Sequence, residues 1–394
     1  MEAGIAVVNC GSTSLKFAVY SAGNRGPRLL YRGMIDSMQT GPHFVLKDKD
    51  GKPLGAYEWG EGHAIDHGKA LAFAFEWCEK HLPMLKMIAV GHRVVLGGER
   101  FPGPVLIDSD VLDYLASLTS MEPSHEPYEV SAARAIAERF PGLQQVACFD
   151  TSFHRTMPEI AQIYAVPKEL RKAGVHHWGF HGLSYDYISR QIPDYAPGAR
   201  RVIVAHLGGG ASLCAMLDGK SVETSMGFGA LSGLPMATRC GDFPSDALFY
   251  LLRSKVYDAA SLETIFYNKS GLLGLSETSG DMRDIESNPD PRAKLAFDYF
   301  VYSIVKYIGS YAAVLGGLDA LVFTAGIGEH STKVRAAVCG KLDWLGMTLD
   351  RAQNEKNGPR ISSQESRVSG WVIPTDEELM IAMHTQALAT KQVM

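Results

Sequence analysis

Short apolar runs, each followed by a turn of small polar residues, open both halves of the chain. The first run, residues 5–8, is followed by a turn at residues 9–14 and a second run at residues 15–20. This pattern predicts a strand, a tight turn and a returning strand. A similar unit occupies residues 201–217, with three adjacent glycines in its turn. Because it begins about halfway along the chain, we predict two related α/β halves, each opening with a hairpin.

Helical periodicity is clearest at residues 297–315, where apolar side chains recur every three or four positions before Gly316. This spacing predicts a helix that stops at the glycine. A buried strand is predicted at residues 320–325, followed by a glycine turn at 326–329 and a helix with Ser331 as its N-cap. Further helices are predicted at residues 111–118, at residues 130–140 and after Asp376, the last with Leu379, Met380, Met383 and Ala387 on its apolar face.

The bulk composition limits the class of protein. A chain of 394 residues is longer than one hydrophobic core supports, so we expect two domains with a short hinge near Asp150. The net charge of -5 offers no general attraction to nucleic acid or to anionic lipid. No secretory signal or membrane-length apolar stretch is evident. The six cysteines lack CxxC pairing, which favours reduced thiols and a cytoplasmic location without membrane partners.

The two glycine-containing turns are candidates for phosphate binding. The first, residues 9–16, combines Asn9, three consecutive hydroxyl side chains and Lys16, which together offer hydroxyl, amide and ammonium donors. An ordinary polar hairpin turn is the alternative. The second turn contains Gly208, Gly209 and Gly210, whose backbone entropy cost exceeds what a simple turn requires. Two such turns favour ATP as the ligand.

Charged residues outside the turns suggest how an anion could be held. Arg93 and Arg239 each stand beside small or apolar residues, and a guanidinium can bind a carboxylate or phosphate through two parallel hydrogen bonds. A structural salt bridge is the alternative for either arginine alone. Asp150 ends an apolar strand, a common position for a catalytic carboxylate. His177 and His181 have the spacing of a metal-ligand pair, but no third ligand follows, so zinc is the weaker interpretation.

Together these segments resemble the acetate kinase family, which belongs to the superfamily of actin-like ATPases and sugar kinases. The resemblance rests on seven blocks in the expected order, VVNCGSTSLKF, GHRVVLGGERF, FDTSFHRTMP, GFHGLSYDYIS, ETSMGFGALSGLPMATRCGD, FTAGIGEHS and VIPTDEEL. It implies an α/β fold with two similar ribonuclease H-like (actin-like ATPase) domains flanking an interdomain cleft. Residues 1–150, joined by a C-terminal helix at 378–394, would form one domain. Residues 151–377 would form the nucleotide-binding domain.

The resemblance also implies a reaction and its cofactor. The expected activity is the reversible, ATP-dependent phosphorylation of acetate to acetyl phosphate and ADP by direct in-line transfer. Mg²⁺ is the expected cofactor, with Mn²⁺ as a substitute, and a homodimer is the expected assembly. A propionate kinase or a broader short-chain carboxylate kinase is the alternative.

Roles for individual residues follow from the same resemblance. The implied catalytic residues are Arg93, Asp150, His181 and Arg239, and Asn9 and Glu377 are the implied metal-binding residues. The acceptor would be bound by Arg93, Val95, Ser124, Phe180 and Ala230. The implied ATP-binding residues are Ser12, Ser14, Lys16, His206, Leu207, Gly208, Gly209, Gly210, Asp281, Arg283, Gly326, Ile327, Gly328 and Glu329.

Elementary chemistry is consistent with these implied roles. A carboxylic acid with a pKa of roughly 4 is already an anion at neutral pH, so it needs no strong general base. The main obstacle is repulsion from the polyphosphate, which two arginines, a histidine and Mg²⁺ would offset. A sugar or polyol kinase would need a base more than paired arginines. A protein that binds ATP only as a conformational switch would need neither the arginines nor His181.

The chain departs from the family pattern at several positions. Leu96 replaces a histidine, Gly209 replaces an asparagine in the second turn, and His330 replaces an asparagine after residues 326–329. The loss of the amide at position 209 is expected to alter ATP affinity or phosphate alignment. Ser124 and Ala230 replace bulkier apolar residues, which predicts an enlarged acceptor pocket that accepts propionate comparably to acetate.

Overall fold

The structure is a computed structural model that describes residues 2–11, 13–82, 84–123 and 125–391. Its strands are β1 (Glu2–Cys10), β2 (Leu15–Ser21), β3 (Arg28–Asp36), β4 (His43–Asp48), β5 (Pro53–Glu58), β6 (Leu85–Val94), β7 (Val105–Leu106), β8 (Gln144–Phe149), β9 (Arg201–Leu207), β10 (Ala211–Leu217), β11 (Lys220–Thr224), β12 (Ala320–Thr324) and β13 (Ser369–Val372).

Its α-helices are α1 (His67–His81), α2 (Ser109–Ser117), α3 (Glu126–Arg139), α4 (Glu159–Gln162), α5 (Lys168–Lys172), α6 (Gly182–Tyr195), α7 (Ser245–Arg253), α8 (Ala259–Asn268), α9 (Gly271–Ser276), α10 (Met282–Ser287), α11 (Pro291–Leu315), α12 (Ala325–His330), α13 (Thr332–Cys339), α14 (Arg351–Glu355) and α15 (Glu377–Lys391).

The chain divides into two compact units. Unit 1 comprises Met1–Ser152 together with Asp376–Met394, and unit 2 comprises Phe153–Thr375. Asp376 and Glu377 therefore belong to unit 1, whereas the sequence analysis grouped them with residues 151–377. The reason is that Asp376 caps α15, accepting a hydrogen bond from the Leu379 N–H at 2.9 Å, and α15 packs on the sheet of unit 1.

Unit 1 is built on an eight-stranded sheet in the order β5-β4-β3-β2-β1-β6-β8-β7. Strands β1 to β5 form antiparallel neighbours, and β6 and β8 run parallel to β1. Because alternate side chains of a strand point to opposite faces, Val90 joins the core beneath α1 and α3, whereas Gly91 faces α15. A Cβ atom at Gly91 would lie 2.2 Å from the Thr385 hydroxyl, so only glycine permits this close packing.

Unit 2 contains a five-stranded sheet in the order β11-β10-β9-β12-β13. The hairpin of β9 and β10 is antiparallel, and β12 runs parallel to both β9 and β13. Tyr185, Ile188 and Ile192 of α6 pack against alternate residues of β9, β10 and β12. The long helix α11 also packs on β9 and β10. It begins after the Asp290 cap and ends at Gly316, whose φ of 67° suits glycine.

The two sheets share one strand order around an opening hairpin. In unit 1 the strands β3-β2-β1-β6-β8 follow the same order and directions as β11-β10-β9-β12-β13 in unit 2. The predicted hairpins at residues 5–20 and 201–217 are confirmed, as are the helices predicted near residues 111–118, 130–140 and 297–315. The prediction of two related α/β halves agrees with this shared topology.

Two local predictions were wrong. Residues 326–329 are not an open turn but part of the short helix α12, which begins directly after β12 because Ala325 adopts a left-handed φ of 63°. In α15 the predicted apolar face included Ala387, which is exposed. The buried face instead includes Ile381, Thr385 and Ala389. The helix is apolar over most of its first two turns, so the side that is buried depends on how the helix packs against the sheet.

Ser331 caps α13 as predicted, since its hydroxyl accepts a hydrogen bond from the Val334 N–H at 3.0 Å. None of the six cysteines is in a disulfide bond. Among the helices of the described residues, none combines the length and the apolarity needed to cross a bilayer.

Candidate active site

Three predicted residues of unit 1 lie at the same edge of its sheet. Val8 of β1 pairs with His92 of parallel β6, and Val94 of β6 pairs with Phe149 of β8. The residues near the carboxyl ends of these neighbouring strands, Asn9, Arg93 and Asp150, are therefore brought together, where ligand sites of α/β sheets are commonly found.

Arg93 is held in place by two of these neighbours. Its Nε and Nη2 atoms donate to the Asp150 carboxylate at 3.3 and 2.6 Å, and Nη1 donates to the Asn9 amide oxygen at 3.4 Å. The Asp150 side chain is 2% exposed and that of Arg93 is 18% exposed. Burial alone would lower the pKa of Arg93, but Asp150 and Glu377 outweigh it and raise the pKa. The guanidinium is therefore a fixed positive charge with one accessible side.

Lys16 and Glu377 complete this charged cluster. Lys16 pairs with Asn9 across the first hairpin, and the half-buried Glu377 is the first residue of α15. Burial raises the pKa of Glu377, as does Asp150, whereas Arg93 and Lys16 lower it. Unit 1 thus gathers two cations, two carboxyl groups and one amide.

A second group of acids, which the sequence analysis missed, supports the loop after Arg93. Glu129 of α3 accepts a hydrogen bond from the Val95 N–H at 3.0 Å. Val95 itself is 4% exposed. Glu122 and Glu126 are also buried beside Glu129. Helical periodicity alone would have placed these charged residues on a solvent-facing side, so no sequence pattern identified them.

Ser12 and Ser124, two predicted ligand-binding residues, lie outside the described residues. Ser14 lies at the first turn, where its carbonyl accepts a hydrogen bond from the Gly11 N–H at 2.8 Å. This bond closes the hairpin turn between Asn9 and Lys16.

The parallel strands β9 and β12 likewise bring together the glycine-rich segments of unit 2. His206 of β9 pairs with Thr324 of β12, so residues 208–210 lie beside the start of α12. The turn is closed by a hydrogen bond from the Gly208 N–H to the Gly210 carbonyl at 3.0 Å. His206 and Leu207 are buried within the strand.

A cavity of about 470 Å³ lies next to these segments in unit 2. It brings together six of the predicted ATP-binding residues, namely Gly208, Gly209, Asp281, Arg283, Gly326 and Ile327. Its other lining residues, which the sequence analysis did not assign to ATP, are Ala237, Gly280, Met282, Glu286, His330 and Ser331. The volume falls within the usual range of small-molecule pockets.

Glu329, which does not line this cavity, and the Asp281–Arg283 pair at its edge form bonds within the protein. One Glu329 carboxylate oxygen accepts hydrogen bonds from the Ala325 N–H at 2.9 Å and the Thr375 N–H at 3.2 Å. It therefore stabilises the start of α12. At the edge of the cavity, Arg283 pairs with Asp281 at 2.5 Å, and this hydrogen bond lowers the pKa of Asp281 to about 2.

His181 lies next to the glycine-rich turn. A Cβ atom at Gly210 would be 3.2 Å from its Nε2 atom, and its ring stacks on that of His206 at 4.1 Å. His181 has a left-handed backbone with φ 58° immediately before α6. For a non-glycine residue this backbone conformation costs on the order of 1 kcal/mol or more. Residues in such conformations are found most often at functional sites.

Arg239 and the two remaining predicted acceptor residues also lie in unit 2. Arg239 Nη1 donates to the Ala230 carbonyl at 3.0 Å, and its guanidinium lies 5.9 Å from the centre of the Tyr267 ring. The carbonyl of Phe180 accepts a hydrogen bond from His154 at 2.9 Å. Arg239 and Ala230 are therefore in direct contact, whereas Phe180 is fixed through its own backbone.

Solved structures define the class of fold. A propionate kinase from Francisella tularensis subsp. tularensis SCHU S4 superposes with a TM-score of 0.90 at 36% identity, covering 98% of this chain and 99% of that one. An acetate kinase from Porphyromonas gingivalis superposes with a TM-score of 0.88 at 35% identity, covering 98% and 99% of the two chains. The chain has the α/β fold of the actin-like ATPases.

Sequence comparison identifies the family within this class. Residues 4–383 match the model of the Acetokinase family. An acetate kinase from Rhodopseudomonas palustris (strain TIE-1) is 46% identical over 390 residues, which are 97% of this chain and 98% of that protein. The chain belongs to the Acetokinase family.

Proposed function

We propose that the protein catalyses the reversible transfer of the γ-phosphoryl group of ATP to acetate, which yields acetyl phosphate and ADP. Family membership supports this reaction class. The observation that carries the residue assignment is the fixed Arg93–Asp150 pair beside Asn9, Lys16 and Glu377. A buried, oriented cation of this kind suits a small anionic acceptor.

Arg93 has donors suited to an acceptor carboxylate. A guanidinium carries five N–H groups, and among the described residues three of them bond Asp150 and Asn9. One N–H on Nη1 and one on Nη2 are left to bind both oxygens of a carboxylate. Asp150 then acts as the group that orients Arg93, and its negative charge limits how tightly the acceptor is held.

The transfer itself needs charge stabilisation more than proton removal. The acceptor is an anion at neutral pH, so an oxygen of its carboxylate can attack phosphorus directly. Negative charge then develops on the equatorial phosphoryl oxygens. Arg239 and His181 would donate hydrogen bonds to these oxygens, and the backbone N–H groups at residues 208–210 would hold the remaining phosphates.

The donor set of unit 1 fits Mg²⁺. Asn9 and Glu377 supply the hard oxygen ligands that this cation prefers, and Mg²⁺ usually takes one or two protein carboxylates together with waters and substrate phosphates. The described residues contain no group of three or more His, Cys, Asp or Glu side chains that could hold a metal. On the chemistry of these oxygen donors, we assign Asn9 and Glu377 as metal-binding residues. When bound, the ion would neutralise phosphate charge.

Propionate is a second candidate acceptor. Ala230, next to Arg239, presents only a methyl group where a bulkier residue would narrow an acceptor pocket. The similarity to a propionate kinase is compatible with this choice. One methylene group changes discrimination by about 1–3 kcal/mol, so kcat/KM for acetate, propionate and butyrate must be compared directly.

A hydroxylamine trapping assay tests the proposed reaction. Product is expected with ATP, Mg²⁺ and either acetate or propionate, and none with glycerol or glucose. Arg93→Ala and Arg239→Ala should each lower kcat/KM by roughly 10²–10³. Arg134→Ala, which removes an exposed arginine paired with Asp113, serves as the matched control. Parental turnover by the Arg93/Arg239 double variant would contradict the assignment.

We further propose a homodimer in the cytoplasm. Exposed aromatic side chains on α7 and α11, including Tyr250 at 68% and Tyr302 at 62% exposure, support self-association because such apolar groups are favoured at interfaces. Sedimentation equilibrium should report twice the mass of the chain. Tyr250→Glu should shift the equilibrium towards the monomer if α7 contributes to the contact.

A further inference from the structure

A hydrogen-bonded chain leads away from the side of His181 that is opposite the glycine-rich turn. The Nε2 atom faces Gly210, where a Cβ atom would lie 3.2 Å away. The Nδ1 atom lies 2.9 Å from the Ser212 hydroxyl. Ser212 in turn lies 2.5 Å from the Tyr185 hydroxyl. Both partners are completely buried, so the chain is shielded from solvent.

The ring of His206 stacks on that of His181. The two imidazoles lie 4.1 Å apart and nearly parallel, at 19°, and His206 Nδ1 is itself 2.8 Å from the Ser184 hydroxyl. Two positive rings at this distance would repel each other, so protonation of one disfavours protonation of the other. A neutral His181 can donate to a phosphoryl oxygen only when its proton is on Nε2.

The order of donors along the chain follows from relative acidity. A phenol has a pKa of about 10, which makes it a stronger donor than an aliphatic alcohol. Either hydroxyl could donate in this contact. When the more acidic Tyr185 is the donor to Ser212, the single hydroxyl proton of Ser212 is directed at His181 Nδ1. An Nδ1 atom that accepts this bond carries no proton, which leaves the imidazole proton on Nε2.

We propose that Tyr185 and Ser212 are positioning residues that hold His181 in its neutral, Nε2-protonated tautomer, with Nε2 directed at the glycine-rich turn. The catalytic consequence rests on the proposed phosphoryl transfer, whereas the tautomer itself does not. Without the chain, His181 would sample the Nδ1-protonated form, whose Nε2 lone pair would face an anionic phosphoryl group.

The tautomer can be measured directly in the full-length protein. Long-range ¹H–¹⁵N NMR of uniformly labelled protein distinguishes protonated from unprotonated ring nitrogens, and His181→Gln identifies the His181 resonances by their loss. We expect an unprotonated Nδ1 in the parent protein. Ser212→Ala should give a mixture of tautomers, and Tyr185→Phe, which removes only the hydroxyl, should shift the same resonances to a smaller extent.

Kinetics provide the second readout. Both variants should lower kcat by roughly 10- to 100-fold, the range found for hydrogen-bond partners that orient metal-bound histidines, while KM for ATP and acetate changes by less than about twofold. Ser212→Thr, which retains the hydroxyl, should recover much of the rate. Tyr20→Phe removes the hydroxyl of a buried tyrosine of unit 1 and should leave kcat unchanged.

The outcomes separate this inference from the proposed function. A protonated Nδ1 in the parent protein, or unchanged His181 resonances and kcat in both Ser212→Ala and Tyr185→Phe, would overturn the inference. If the resonances shift as expected but the parent protein phosphorylates no carboxylate, the tautomer assignment is supported and the proposed function fails. If Ser212→Ala does not fold, Tyr185→Phe alone decides the question.

Discussion

Replacing Glu126 with glutamine tests whether the buried acids of α3 are protonated in the folded protein. Glu126 is 0% exposed, and Glu122 and Glu129 beside it are each 2% exposed. The backbone of Leu96 interacts with the Glu126 carboxyl group and lowers its pKa, but this effect is smaller than those of burial and of the neighbouring acids. Burial raises the pKa of Glu126 well above its ordinary value of 4.5, and the two neighbouring carboxyl groups raise it further. The group should therefore remain neutral at pH 7.

The size of the effect follows from proton linkage. A carboxyl group that is ionised in the unfolded chain and protonated in the folded one must take up a proton on folding. Between its ordinary pKa of 4.5 and pH 7, this uptake costs about 3 kcal/mol at 1.36 kcal/mol per pH unit. The folded state binds more protons, so stability should fall as pH rises above 4.5. Glutamine has the shape of the neutral acid and avoids this cost.

Urea unfolding at several pH values between 5 and 8 measures the effect. Glu126→Gln should be close to the parent protein at pH 5 and up to about 3 kcal/mol more stable at pH 7. Glu138→Gln, at an exposed position of the same helix, should change stability by less than about 0.5 kcal/mol. If the parent and Glu126→Gln show the same pH dependence, Glu126 is not protonated on folding and the reasoning fails.

Four further substitutions probe the site and its support. Gly209→Ala should leave kcat within about twofold of the parent value, because no atom lies within 4 Å of the added carbon. Gly210→Ala should lower kcat, because the added carbon would displace His181. Equal kcat values for the two variants in steady-state assays would contradict the contact between Gly210 and His181. Glu377→Gln should raise the Mg²⁺ concentration for half-maximal rate roughly tenfold in a magnesium titration, and an unchanged titration would remove its assignment as a metal-binding residue. Arg335→Met should lower the free energy of unfolding, measured in urea, by about 3 kcal/mol or more, because two backbone carbonyls of α12 lose their buried hydrogen-bond donor. An unchanged urea midpoint would show that Arg335 does not stabilise α12.

Sequence patterns identified the elements whose causes are local. The hairpins depend on two apolar runs separated by small residues, and α11 depends on its periodicity and on the glycine at its end, so each could be predicted without knowledge of its neighbours. The location of Asp150 at the end of a buried strand could also be predicted from the sequence. The family resemblance added the roles of Arg93, Arg239 and His181, which their immediate neighbours in the sequence left undecided.

Features that depend on several elements at once could not be predicted in this way. The support of the Val95 loop by Glu129 requires α3 to pack beside β6, and an acid within a helix is usually exposed. The buried face of α15 was mispredicted because much of its surface is apolar. Similarly, the chain from Tyr185 through Ser212 to His181 joins α6 to β10.

By itself the sequence determined the class of fold, the two glycine-containing turns and the charged residues available to the site. Only the tertiary structure decided that Asp150 orients Arg93, that Glu377 belongs with residues 1–152, and which side of His181 faces the glycine-rich turn at residues 208–210. The physical reason is that periodicity and turn composition act over a few residues, whereas the orientation and protonation of a buried side chain depend on partners that the fold brings from distant parts of the chain.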